Sequence, residues 1–216
     1  MRAARLIGVL GLTLLSSCEE SLNKQRAEIR LSFLEFSRAF YARRGEEALR
    51  YVSRRTFDYY ERLLPHLLNA DEKRLSDLPP FALFACLSLR HKYSPEELNT
   101  TNSRMIVQKA FDSMTFPGGA PHFLDIGEIL IRKSGEEAAA TVFLAPGEKH
   151  DEALVSFIRE DGMWKVDLTS VFEVLSTRLE PYLKDPTASR AERALHYLQI
   201  HENHQIGGEI LQPRRR

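Results

Sequence analysis

Apolar positions in this chain follow two different periods. From residue 29 to about 115 they recur every three or four residues, the spacing that gathers side chains on one face of an α-helix. Ile29, Phe33, Phe36 and Phe40 form the first stripe, and Gly45 interrupts it. A short helix over 46–52 follows, and Phe57, Tyr60, Leu64 and Leu67 make the next stripe. Pro79-Pro80 breaks the chain and opens a largely apolar helix that runs to about Arg90. Ser94-Pro95-Glu96-Glu97 has the marks of a helix start: an N-cap serine, a proline where its missing donor costs nothing, and a glutamate to complete a capping box. Val107, Ala110, Phe111 and Met114 complete the helical half.

Pro117-Gly118-Gly119-Ala120-Pro121 marks the boundary. Beyond it the period changes to two, and strands are predicted over 123–132, 138–145, 153–159 and 163–168. Ser134-Gly135, Pro146-Gly147-Glu148-Lys149 and Asp161-Gly162 supply the turns. Asp161-Gly162 is a two-residue hairpin signal that needs positive φ at both positions, and it fixes a register. Glu160 opposes Met163, Arg159 opposes Trp164, Ile158 opposes Lys165, Phe157 opposes Val166, Ser156 opposes Asp167 and Val155 opposes Leu168. Val155, Phe157, Trp164 and Val166 then share an apolar face, with Arg159 over the Trp164 ring. Asp167 belongs to the other face, away from the helices. The Ser134-Gly135 turn places Ile129 and Ile131 with Ala138, Ala140, Val142 and Leu144, and Asp125 in the same phase. A helix over 170–184 follows, with Ser170 as cap, Glu173 closing its box and Phe172, Leu175, Leu179 and Tyr182 as its stripe. Ser189 with Glu192 starts a last helix to about Glu202, within a C-terminal extension over 185–216.

The first residues carry a different signal. Arg2 and Arg5 precede ten residues, Leu6 to Leu15, whose only polar member is Thr13. That run is about half of the ~20 residues a spanning helix requires, so it predicts a secretory signal over 1–17. Leu15-Ser16-Ser17-Cys18 resembles the lipobox of bacterial lipoproteins, which implies cleavage before Cys18, acylation of that cysteine and tethering to a membrane. Residues 18–28 are polar and read as a tether that merges into the first helix. Glu19 stands where an aspartate often marks inner-membrane retention in such lipoproteins, so the resemblance implies the periplasmic face of an outer membrane in a cell with two membranes.

Composition narrows the classes. Thirty Lys plus Arg balance thirty Asp plus Glu, which excludes a general nucleic-acid binder, since such proteins need a basic surplus to displace phosphate counterions. Losing Arg2 and Arg5 with the signal leaves a small acidic excess. Two cysteines cannot staple a fold of this size, so a core must hold it. Cys86 lies in Phe81-Ala82-Leu83-Phe84-Ala85-Cys86-Leu87, an apolar setting in which a cysteine is a small core residue; a Cys18 to Cys86 disulfide would require Cys18 to be unacylated.

Helices, then a curved antiparallel meander, then a terminal strand Trp164-Lys165-Val166-Asp167-Leu168 predict an α+β domain over 29–184. The arrangement resembles the nuclear transport factor 2-like (cystatin-like) superfamily, which includes ketosteroid isomerase and polyketide cyclases. The resemblance implies a cone-shaped pocket between the helices and the concave sheet face. It covers residues 31–184 and departs in two places: 55–114 reads as helix without the superfamily's strand or hairpin, and 185–216 extends past its end.

Enzymes of that superfamily act through an acid, histidine or tyrosine in the cone, which makes Asp125 the first catalytic candidate; its bland alternative is the solvated end of a strand. His122, three residues away, falls on the opposite face. Tyr59 and Tyr60 read as core, His91 as a cation at a helix end and His150 as a loop residue. His196, His201 and His204 do not converge as metal ligands, because His196 lies about 140° round the helix from His201. Gly118-Gly119 and Gly207-Gly208 lack the context of a phosphate loop, and Arg214-Arg215-Arg216 reads as a solvated basic tail. The expectation is a lipid-anchored envelope protein without cofactor or metal, acting as a non-catalytic module for a small apolar ligand or an envelope protein. A homodimer through the sheet is compatible with it. The alternative is an isomerase or cyclase using a pocket acid such as Asp125, or a pocket tyrosine.

Overall fold

The computed structural model describes residues 4–113, 123–144, 153–202 and 206–214, with side chains over 21–112, 126–142, 154–201 and 206–214. The chain is α+β: helices first, then a four-stranded antiparallel sheet, then C-terminal helices. Helix α1 (Ala4–Tyr41) runs without a break through the expected cleavage site and tether, and its stripe Ile29, Phe33, Phe36 and Phe40 is buried. After Gly45 the chain makes α2 (Gly45–Ala48) and a 3-10 turn (Leu49–Tyr51). Gly45 is needed here, because its backbone N–H donates to Asp112 and a Cβ would collide with that carboxylate and with the Gln108 carbonyl.

Helix α3 (Arg54–Asn69) buries Tyr60 and Leu67 as expected, with Thr56 and Leu63 beside them, while Phe57 and Leu64 are only partly covered. Helix α4 (Glu72–Ser76) is capped by Asp71, whose carboxylate accepts from Arg74 N–H. Helix α5 (Pro80–Lys92) is buried from Pro80 to Arg90, so it is the central helix of its layer. The Ser94–Glu97 capping box starts α6 (Pro95–Thr100), and α7 (Ser103–Ser113) follows.

Strands β1 (Phe123–Ile131), β2 (Glu137–Leu144), β3 (Ala153–Glu160) and β4 (Met163–Asp167) pair in chain order. The β3–β4 register is the one the turn demands, from Glu160 opposite Met163 to Ser156 opposite Asp167. Asp161 and Gly162 have φ of 52° and 79°, as a type I′ turn requires. Three expectations fail around it. Val155 and Leu168 do not pair, because β4 ends at Asp167 and Leu168 already has helical backbone. Arg159 faces solvent while Trp164 is buried; among the described residues the cation–π pairs are Arg104 with Phe57 and Lys109 with Tyr93. Asp167 is only 2% exposed, for reasons the site makes clear.

In β1–β2, Ile129 opposes Ala140 and Ile131 opposes Ala138, but the register shifts between Ile126 and Ile129. This irregularity brings Ile126 opposite Val142 and Asp125 opposite Phe143, so Asp125 leaves the phase of the buried row.

The buried sheet face packs on α1. Phe33 meets Phe157 edge to face at 6.3 Å between centroids, and the Ser32 hydroxyl donates to the Trp164 carbonyl at 2.6 Å. Ala138, Ala140, Val142, Val155 and Val166 fill the rest. Ser53 N–H donates to the Val166 carbonyl, tying the chain before α3 to the free edge of β4.

Helix α8 (Thr169–Leu179) begins one residue earlier than expected, and its start is not the predicted Ser170–Glu173 box. The Asp167 carboxylate accepts from Thr169 N–H, while the Ser170 hydroxyl accepts from Ser156 N–H where β4 has stopped. Pro181 lies in a 3-10 turn (Glu180–Leu183) that buries Leu183 and leaves Tyr182 exposed. Ser189 and Glu192 do form the box that opens α9 (Arg190–Glu202), and a 3-10 turn (Gly208–Leu211) follows.

Candidate functional site: a cleft between two helices

Residues 55, 58, 59 and 62 share one face of α3, and residues 169, 172, 173 and 176 share one face of α8. The two faces border an open cleft of about 660 Å³, with Pro79 also in its lining. Its floor is aromatic: the Phe172 ring stacks on Phe81 at 4.3 Å, and Tyr59 leans on Phe172 at 4.9 Å. Burial raises the Tyr59 phenol above its ordinary range, with Cys86 adding to the rise and Arg62 opposing it, so the hydroxyl is neutral at physiological pH. Burial raises Tyr60 in the same way.

Arg55 lines this cleft. Its guanidinium donates to Glu137 Oε1 at 2.8 Å and lies 3.9 Å from Asp167 Oδ2. The other Asp167 oxygen accepts from Thr169 N–H at 3.1 Å and from Thr169 Oγ1 at 2.8 Å. Asp167 is therefore a buried strut between the α8 start and Arg55, which corrects its expected place away from the helices. Ser176 accepts from Phe81 N–H at 3.1 Å and so serves the start of α5. The cleft offers Arg55 and Arg62 on one side of the charge ledger, and Asp58 and Glu173 on the other.

A second opening, of about 280 Å³, lies between α1 and the β3–β4 turn, bordered by Glu28, Leu31, Ser32, Glu35, Tyr51, Gly162, Met163 and Trp164. Behind it the Trp164 indole N–H is sealed from solvent without an acceptor among the described residues. Known proteins give no guide. No family model, curated protein or solved structure matches the chain.

Of the residues weighed for chemistry in the sequence, Tyr59 lines the cleft; among the described residues the others do not join it. The side chains of Cys18 and Asp125, and all of His122, His150, His204, Arg215 and Arg216, lie outside the described residues. Cys86 is fully buried and free, and burial pushes its thiol up to about 12 against the pull of Arg90. His91 sits in the last turn of α5. His196 is exposed, and the His201 ring lies 4.0 Å from Tyr197. Among the described residues no three His, Cys, Asp or Glu side chains come together as metal ligands, and no helix is long and apolar enough to cross a membrane. Sequence reasoning did not single out Arg55 and put Asp167 away from the helices, because neither lies in a motif; only their junction in space makes them partners.

Proposed function

We propose that this chain is a lipid-anchored envelope protein, tethered through Cys18, whose α+β domain is a non-catalytic binding or assembly module arranged like the nuclear transport factor 2-like superfamily. The observation that carries the module reading is the filled sheet face. Phe33, Phe157, Trp164 and Val166 occupy the space where a substrate cone would open. Recognition then falls to the surface. The α3–α8 cleft, with balanced charges over an aromatic floor, suits a peptide-like segment of an envelope protein better than an anionic metabolite. The far face of the sheet exposes Leu130 and Leu154 with Ala139 and Thr141 between them, which suits a second copy of the chain. The register shift in β1 takes the Asp125 backbone out of the phase of the buried row, which weighs against an isomerase that relies on that residue.

Adding volume tests the filled face. Ala140→Leu should destabilise the fold by about 1–3 kcal/mol, because a packed core resists extra methylenes. An unchanged melting temperature would mean that an open cone accepts the side chain, and the module reading would give way to the enzyme.

A further inference from the structure

The surface of α1 that follows the expected anchor carries apolar residues that no described part of the domain covers. Leu31 is 58% exposed and Leu34 44%, and Met163 from the β3–β4 turn, which borders the same groove as Leu31, is 53% exposed. Lys24, Ala27, Leu31, Leu34 and Arg38 lie within one arc of the helix, so the apolar centre has a cation at each end, while Glu28 and Glu35 border it on the groove side. Arg30 flanks the same arc; its donors go to the Ile126 and Gly127 carbonyls at 2.7 Å, which hold the side chain without neutralising it. Arg38 is shared with Glu35 at 3.0 Å. The helix is continuous from Cys18 to this patch, and at 1.5 Å per residue Leu31 lies about 20 Å along the axis from that cysteine.

We infer that this face of α1, with Met163, is a membrane-docking surface: it lies on an anionic bilayer and holds the domain down against the membrane to which Cys18 tethers it. The inference rests on the anchor proposed above. A cysteine held in lipid brings the first turns of α1 to the headgroups, and a helix with exposed leucines between basic residues lies in that interface with its apolar side in the acyl boundary. The exposed leucines supply the apolar face, and Lys24, Arg30 and Arg38 exceed Glu28 and Glu35 by one charge, which leaves a small preference for anionic headgroups.

The chain holds a single tryptophan, Trp164, in the wall of the groove beside this patch, and it serves as a depth probe. The full-length acylated protein is reconstituted into vesicles of brominated phosphatidylcholine and phosphatidylglycerol, and its emission is compared with that in unbrominated vesicles. Docking predicts that emission is roughly halved, since an interfacial helix places its apolar face ~5–10 Å into the boundary. The double variant Leu31→Asp, Leu34→Asp should stay bound through its lipid but lose the quenching, whereas Ile200→Asp, at an exposed position of α9, should keep it. Vesicle-bound protein whose Trp164 is not quenched would overturn the docking surface and leave the anchor standing. Protein that does not bind vesicles would overturn both.

Discussion

Arg90 brings a full side chain into the interior, 1% exposed, and meets only backbone oxygens there. Its guanidinium donates to the carbonyls of Leu67, His66 and Ala70 at the end of α3, and to those of Ile210 and Gln212 in the C-terminal segment. Arg214 returns a bond to the Arg90 carbonyl at 3.0 Å, so the segment is held from both sides. Burial lowers the Arg90 pKa to about 10, with Cys86 opposing and Arg214 adding, which leaves it charged at neutral pH. Arg90→Met should cost on the order of 3–5 kcal/mol in urea unfolding, because it strands several buried carbonyls at once. Arg90→Lys should recover little of this, since an ammonium lacks the planar fork. Cys86 and Tyr60 are buried as neutral acids with raised pKa values, so the unfolded chain loses their protons first. The Cys86 contribution to stability is complete below pH 9.0, the ordinary thiol value, and is lost as pH rises toward about 12, while that of Tyr60 is lost only above pH 10.0, the ordinary phenol value. The Cys86 thiol should accordingly be inert to alkylation in the folded protein and react only after unfolding. The sequence showed Arg90 only as a basic residue near a helix end, because nothing local records that the C-terminal segment folds back over it.

At the scale of elements, local chemistry decided what was legible. The Asp161-Gly162 turn set the β3–β4 register because two positive φ values leave the hairpin one geometry. The boxes at Ser94 and Ser189 formed because each closes within four residues. The expected box at Ser170 and Glu173 did not, because tertiary partners were better placed: Ser170 completes the ladder at Ser156, and Asp167 takes over the start of α8. Thermal or urea unfolding separates the two. Glu173→Ala should change stability by no more than about 0.5 kcal/mol, as at an ordinary surface site. Asp167→Ala should cost about 2 kcal/mol, because it removes charge-assisted bonds and unpairs buried donors. The β1 irregularity was not legible, since an extra residue in a strand leaves no mark in an alternating pattern, and it changed the candidate site by moving Asp125.

At the scale of the molecule, the period change near residue 115 separated helices from sheet, and the apolar stripes named much of the core, with Phe57, Leu64 and Leu175 only partly buried and Tyr182 exposed. The α3–α8 cleft was out of reach, because it joins residues more than a hundred positions apart that carry no motif. The proposed arrangement, a packed, non-catalytic domain at the end of a lipid tether, depends on Cys18. The most direct test is membrane fractionation with intact mass, comparing the wild type with Cys18→Ser. The wild type should sediment with membranes and weigh more than residues 18–216 alone, by the mass of its acyl groups. The variant should lose that added mass and leave the membrane fraction. Unchanged fractionation with an unchanged mass would contradict the account.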